Sequence, residues 1–243
     1  MSIEILVNVA PRETRAAIVE NGVLQEIYVE QTSRRGLVSN LYKGRVSRVL
    51  PGMQAAFVDI GLERTAFLHV ADIANVPNDD TIVLPSVDDI RRLVSPGDDI
   101  LVQVIKDPLG TKGARLTTFI ALPSRYLVYM PRGDGIGVSA RIDDDAERQR
   151  LKEAVSGFIA ANAEGGYILR TASQGVSVES LREDMTYLDK LWRHVRVRAL
   201  ETQPGGIVHA DLPLALRVLR DELSRGVSRV LVDSPREIGR AHV

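Results

Sequence analysis

Cysteine is absent from the 243-residue sequence, and only four histidines are present. That excludes a disulfide framework and any thiolate metal site, leaves a zinc site short of ligands, and suits a reducing compartment. Long apolar runs are missing too. No window approaches the roughly 18 consecutive apolar residues of a membrane helix, and the N-terminus lacks the basic region and cleavage site of a secretion signal. The expectation is a cytoplasmic protein with no membrane partner. Aromatic residues are scarce at 5%, with four phenylalanines and one tryptophan, so two of them falling into one pattern carry weight. Charge of one sign is also lacking, because the formal net charge is −1. The overall balance therefore announces no polyanionic partner.

What is present is the profile of a folded protein: 44% hydrophobic and 26% charged residues, in a chain long enough for one large domain or two small ones. Local charge departs from the average. The stretch 33–48 carries Arg34, Arg35, Lys43, Arg45 and Arg48 with no acid, which is either a basic binding face or a solvated one.

Three textures follow one another along the chain. Residues 14–20 and 23–30 alternate apolar and polar side chains around Asn21-Gly22, two residues that tolerate the positive φ of a type I′ turn. With Ile3–Val9 ahead of them they predict three antiparallel strands. From residue 40 to about 119, short strands punctuated by Gly and Pro suggest a small barrel, interrupted at 75–95 by a polar loop with one short helix. Thereafter strand-like runs at 126–130 and 167–170 sit among helices. Apolar residues at helical spacing predict helices over 143–163 and Val178–Glu201, the second capped by Ser177. A last helix, 213–225, is expected to start at an Asp211 cap and end at Gly226, before a strand at 229–233. This α/β ending could pack beside the N-terminal strands, leaving the middle segments as insertions in a discontinuous domain.

The strongest local pattern is Lys43-Gly44-Arg45-Val46, Gly52, Ala56-Phe57-Val58-Asp59 and Ala66-Phe67-Leu68-His69, followed by Gly97-Asp98-Asp99 and Val102-Gln103-Val104. It resembles the RNA-binding barrel first named for a ribosomal protein, the S-one type of OB-fold. That resemblance implies that Phe57 and Phe67 stack bases, with Lys43, Lys106 and Lys112 near phosphates. The bland alternative places both phenylalanines in the core. Strand alternation argues against it, since every second residue of AAFV and AFL turns outward.

The longer strings NLYKGRVSRVLPGMQAAFVDIG, DPLGTKGARLTT and LPSRYLVYMP, in this order and spacing, resemble the ribonuclease E/G family over about residues 1–235. The resemblance implies an α+β protein of several subdomains. A discontinuous ribonuclease-H-like α/β subdomain, 1–38 and 209–236, would be interrupted by the OB-fold barrel, 39–119, and by an α+β 5′-sensor subdomain, 120–208. It further implies that Arg170, Thr171 and Val128 form a pocket for an RNA 5′-monophosphate, with Arg141 as a second basic position. An Arg fork and a Thr hydroxyl suit phosphate oxygens. One branch of the family has glycine where this chain has Ser124, which leaves the pocket's backbone contact open.

In the family, magnesium held by a pair of aspartates activates water for attack on phosphate, in a deoxyribonuclease-I-like subdomain that would follow this sequence. No catalytic or metal-binding residue, and no bound cofactor, is therefore expected in this chain. The Asp143–Asp145 run reads instead as the acidic start of a helix. A cysteine pair holding an intersubunit zinc in the family would also lie farther along, so homo-oligomerisation is expected of the full-length enzyme. The final EIGRAHV is what a common sequencing-adapter oligonucleotide gives on translation, and 237–243 is expected to be a non-native tail. The resemblance thus implies RNA binding, to single-stranded RNA including ribosomal RNA precursors, in a parent endoribonuclease that prefers 5′-monophosphorylated ends. A stand-alone RNA-binding or regulatory protein is the rival, and a protein-binding role for the barrel is a third reading.

Overall fold

In the computed structural model, residues 2–73, 89–159, 165–223 and 226–235 are described. The chain divides into two compact units, Met1–Gly36 with Leu212–Val243, and Leu37–Asp211.

The first unit opens with the expected meander: β1 (Ile3–Val9), β2 (Glu13–Glu20) and β3 (Val23–Gln31), paired antiparallel in sequence order. Asn21 and Gly22 both take positive φ, 50° and 81°, as a type I′ turn requires.

The second unit begins with a closed barrel. Strands β4 (Leu41–Leu50), β5 (Ala55–Asp59) and β6 (Ala66–His69) form a meander, and helix α1 (Ile90–Leu93) precedes β7 (Asp99–Lys106) and β8 (Arg115–Thr117). The sheet runs β4-β5-β6-β8-β7 and closes because β4 also pairs with β7. β4 is long enough for both roles: Leu41 to Arg45 lie against β7, and Arg45 to Leu50 against β5. Its interior is filled by alternate side chains, among them Val46, Val58, Leu68, Val102, Val104 and Leu116, none more than 1% exposed. Burial of each such side chain contributes about 1.5–3 kcal/mol. The expected short helix in the 75–95 insert is α1, and residues 74–88 of that insert lie outside the described residues.

A second layer follows: β9 (Leu122–Pro123), β10 (Leu127–Met130), β11 (Ile136–Val138), α2 (Asp145–Ser156), β12 (Gly166–Leu169), α3 (Val178–Glu201) and β13 (Ile207–His209). The sheet order is β11-β12-β10-β9, with β11 parallel to β12. One face of this sheet buries Leu127, Tyr129, Tyr167 and Leu169 against Leu151 and Val155 of α2 and Leu181, Met185, Leu188 and Val195 of α3. Ser177 caps α3 by accepting from Ser180 N–H, as expected. Helix α2 is shorter than the 143–163 expectation because it stops at Gly157. Leu41 of the barrel belongs to this core too, and β13 pairs with β4, so barrel and second layer form one unit. At that seam Lys43 N–H donates to Gly206 O and Gly205 N–H to Lys43 O.

The chain then completes the first unit with α4 (Leu214–Glu222) and β14 (Val227–Val232), the latter parallel to β1. Leu214, Ala215 and Val218 cover Ile5, Val7, Ala16 and Ile18. Two expectations are corrected here. Asp211 does not cap the helix; its own N–H donates to Asn40 Oδ1. The cap comes from β3, where Glu30 accepts the Leu214 N–H at 3.3 Å and pairs with Arg217 at 3.2 Å. A carboxylate brought in by tertiary packing thus replaces the local one and complements the helix dipole. The helix ends at Glu222, short of Gly226.

Candidate nucleic-acid interface

Alternation along β5 and β6 decides the barrel's outer face. Ala56, Val58, Ala66 and Leu68 are fully buried, so Phe57 and Phe67, half-buried, turn outward. The two residues are direct cross-strand partners. Their rings meet edge to face, centroids 6.2 Å apart and 69° between planes, an arrangement aromatic quadrupoles favour. His69, two residues along β6, lies 6.4 Å from Phe67. The outer face of these barrel strands and the neighbouring loops is where OB-folds take oligonucleotides.

Register extends the pair into a row across the barrel. Arg48 on β4 is opposite Phe57, Phe67 is beside Arg115 on β8, and Arg115 is opposite Lys106 on β7. Across the sheet the row therefore runs Arg48, Phe57, Phe67, Arg115, Lys106: cation, ring, ring, cation, cation. Arg115 is also bound to Asp72 at 2.9 Å. Of the sequence-predicted residues, Phe57, Phe67 and Lys106 fall in this row. Lys112 is exposed on the β7–β8 loop, where it pairs with Leu109 in a one-bridge turn. Lys43 does not join them: it is opposite Leu101 at the other end of β4. There its charge helps Arg45, whose guanidinium is hydrogen-bonded to Asp99 at 2.8 Å, to hold the Asp99 carboxyl below its usual range.

Sequence reasoning named Arg48 only as one cation of the basic stretch 33–48 and missed Arg115. Counting by twos from Lys43 predicts that residues 43, 45 and 47 face outward, and a register shift between Val46 and Arg48 breaks that count. The signal available was composition, since Arg48 closes the acid-free stretch 33–48.

The second candidate site lies on the open face of the β11-β12-β10-β9 sheet. Val128 opposes Ile168, and Arg170, two residues beyond Ile168, follows on the same face. The Arg170 guanidinium donates to Ser124 O at 2.6 Å and to Arg125 O at 3.3 Å. Those carbonyls are fixed in turn: half-buried Asp184 of α3 accepts from Ser124 Oγ at 2.5 Å, Tyr126 N–H at 2.9 Å and Leu127 N–H at 3.1 Å. Ser124 is 3% exposed, and its N–H donates to Leu127 O. Its backbone donor is thereby committed to the turn. Thr171 is exposed beside Arg170, and its Oγ1 lies 3.1 Å from Ser139 Oγ. Ser139 Oγ also accepts from Arg141 N–H at 3.3 Å. The structure thus brings Arg170, Thr171 and the backbone of Arg141 together at one end of the sheet, with Val128 farther along it. Asp184 and Ser139 were not singled out from the sequence.

The acidic run 143–145 does what the helix-start reading expects, in that Asp144 Oδ1 accepts from Ala146 N–H at 3.0 Å. Glu147 of α2 binds Arg150 and accepts from Gly175 N–H at 2.8 Å, and these contacts hold its carboxyl down to about 2. Burial pushes His209 below its ordinary value. Among the described residues no three His, Cys, Asp or Glu side chains are grouped to hold a metal ion.

Among the described residues no helix is long and apolar enough to cross a membrane. A family model described as the S1 RNA binding domain matches residues 38–118, and the model of the ribonuclease E/G family matches residues 121–242. The chain is 52% identical over 239 residues to a protein named Ribonuclease G from Salmonella typhimurium, and 51% identical to its namesake in Escherichia coli. Against a protein named Ribonuclease E from Haemophilus influenzae the identity is 37% over 234 residues. The alignments cover 96% of this chain and 48% of each Ribonuclease G, and 95% of this chain and 25% of the Ribonuclease E. The chain spans about half the length of the curated Ribonuclease G relatives it matches. With a closed S1-type barrel followed by the second matched segment, the chain belongs to the ribonuclease E/G family.

Proposed function

We propose that this chain is the RNA-binding part of an endoribonuclease that cleaves single-stranded RNA, prefers 5′-monophosphorylated ends, and serves ribosomal RNA maturation and RNA turnover in the cytoplasm. The observation that carries the reading is the cross-strand row of Arg48, Phe57, Phe67, Arg115 and Lys106. Two rings offer base stacking without sequence preference, and flanking cations meet the phosphates. Lys112 on the adjoining loop adds a further contact.

Arg170, Thr171, Val128 and Arg141 form the proposed pocket for the 5′-monophosphate. Support comes from the way Asp184 and Ser124 fix the carbonyls that hold the Arg170 guanidinium. The pocket does not use the backbone N–H of residue 124. Magnesium is the proposed cofactor of the longer enzyme, which we take to be a homo-oligomer; alone, this chain binds RNA without hydrolysing it.

Titrating the purified chain into a labelled single-stranded RNA, with and without magnesium, tests both halves. Saturable binding that weakens with salt, with log affinity falling by about 0.7 per neutralised phosphate for each unit of log salt, and no cleavage product are expected. Absence of binding overturns the RNA reading; magnesium-dependent cleavage overturns the inactivity.

A further inference from the structure

We propose that Ser139 belongs to the 5′-phosphate site as a relay that aims the Thr171 hydroxyl at a terminal phosphate oxygen. This rests on the reading of Arg170 and Thr171 as a phosphate pocket.

Ser139 follows β11 and is locked beside β12 by its own N–H, which donates to Leu169 O at 2.8 Å. The segment carrying it is clamped from behind by Arg148 of α2, whose guanidinium donates to Ser139 O at 2.8 Å, Ile142 O at 3.0 Å and Val138 O at 3.4 Å. Ile142 N–H closes the turn onto Ser139 O. A long cation spending its donors on three backbone carbonyls holds a loop in place, and Arg148 is a positioning residue here.

The hydrogen count at the front of this loop gives the relay its direction. Ser139 Oγ accepts from Arg141 N–H at 3.3 Å and lies 3.1 Å from Thr171 Oγ1. The two hydroxyls have one hydrogen each, and one of these lies between them. When the Thr171 hydrogen goes to an anionic oxygen, the shared one comes from Ser139. The chain then runs Arg141 N–H to Ser139 Oγ, Ser139 O–H to Thr171 Oγ1, and Thr171 O–H to phosphate, and each donor polarises the next. An RNA 5′-hydroxyl carries no such charge and draws much less from the chain.

A two-by-two cycle of Ser139→Ala and Thr171→Val tests this. The readout is the ratio of Kd values for 5′-hydroxyl and 5′-monophosphorylated single-stranded RNA of one sequence. Ser139→Ala is expected to lower that ratio about three- to ten-fold, the range of one hydrogen bond. It is expected to have no further effect in the Thr171→Val background, and Ser139→Thr, which keeps a hydroxyl, is expected to restore most of the ratio. Unchanged discrimination in a folded Ser139→Ala protein, or an equal loss in the Thr171→Val background, overturns the relay while leaving the pocket standing. If Thr171→Val and Arg170→Ala both leave the ratio unchanged, the pocket reading itself fails.

Discussion

Replacing Phe57 and Phe67 by alanine separates the binding face from the fold more cleanly than any other change. Each ring stands on the outer surface of its strand, while the neighbours Ala56, Val58, Ala66 and Leu68 supply the core beneath. Loss of one base stack costs about 1–3 kcal/mol, which is about 5-fold to about 150-fold in Kd. Because the rings touch at 6.2 Å, the double variant should lose less than the product of the single losses. The folding cost is smaller: one edge-to-face contact is worth about 0.5–1.5 kcal/mol, a shift of a few degrees in Tm for a chain of this size. Fluorescence anisotropy with a labelled single-stranded RNA at fixed salt gives the affinity, and circular-dichroism melts give the stability. Leu68→Ala, beneath the same face and fully buried, is the control. It should lose about 2–5 kcal/mol of stability, and its RNA affinity should fall only as the folded population falls. Wild-type affinity in a folded Phe57→Ala, Phe67→Ala double variant would refute the stacking argument and favour a protein partner for the barrel.

Arg170→Ala should weaken binding of 5′-monophosphorylated RNA by about ten-fold or more, as expected of a lost charge-assisted bond, and barely alter binding of 5′-hydroxyl RNA; equal losses in a gel-shift series would leave Arg170 a general contact only. Glu147 has a folded value of about 2 against an ordinary 4.5, so its stabilisation is complete above about pH 4.5 and is lost as pH falls toward 2. Urea melts should accordingly show Glu147→Gln less stable by about 1 kcal/mol, after allowing for solvent screening, at pH 6, with the difference shrinking as pH falls through the folded value of about 2 and vanishing below it. Gly61, at φ +77°, has the Gly205 carbonyl oxygen only 2.3 Å from where a Cβ would sit. Gly61→Ala should cost about 2–5 kcal/mol through backbone strain and overpacking, and an unchanged Tm would mean that the seam between β13 and β4 is softer than its geometry.

The sequence alone determined those features whose cause is local. The Asn21-Gly22 hairpin follows from torsional tolerance of positive φ. The span of α3 and its Ser177 cap follow from helical periodicity and an orphan N–H close by in sequence. The outward turn of Phe57 and Phe67 follows from two-residue alternation within short strands. Tertiary structure alone decided what depends on partners distant in the chain. Register, altered by a shift that alternation cannot foresee, put Arg48 rather than Lys43 beside Phe57. Pairing of β8 with β6 and β7 brought Arg115 and Lys106 into the same row. Glu30 displaced Asp211 as the cap of α4 because packing delivered a carboxylate from another strand to the helix start. Ser139 met Thr171 because β11 lies parallel to β12, an association whose cost is loop closure and whose return is burial. A window of neighbouring residues contains neither quantity, which is why the ring pair was legible from the sequence while the places of Arg48 and Arg115 beside it, and of Ser139 beside Thr171, were not.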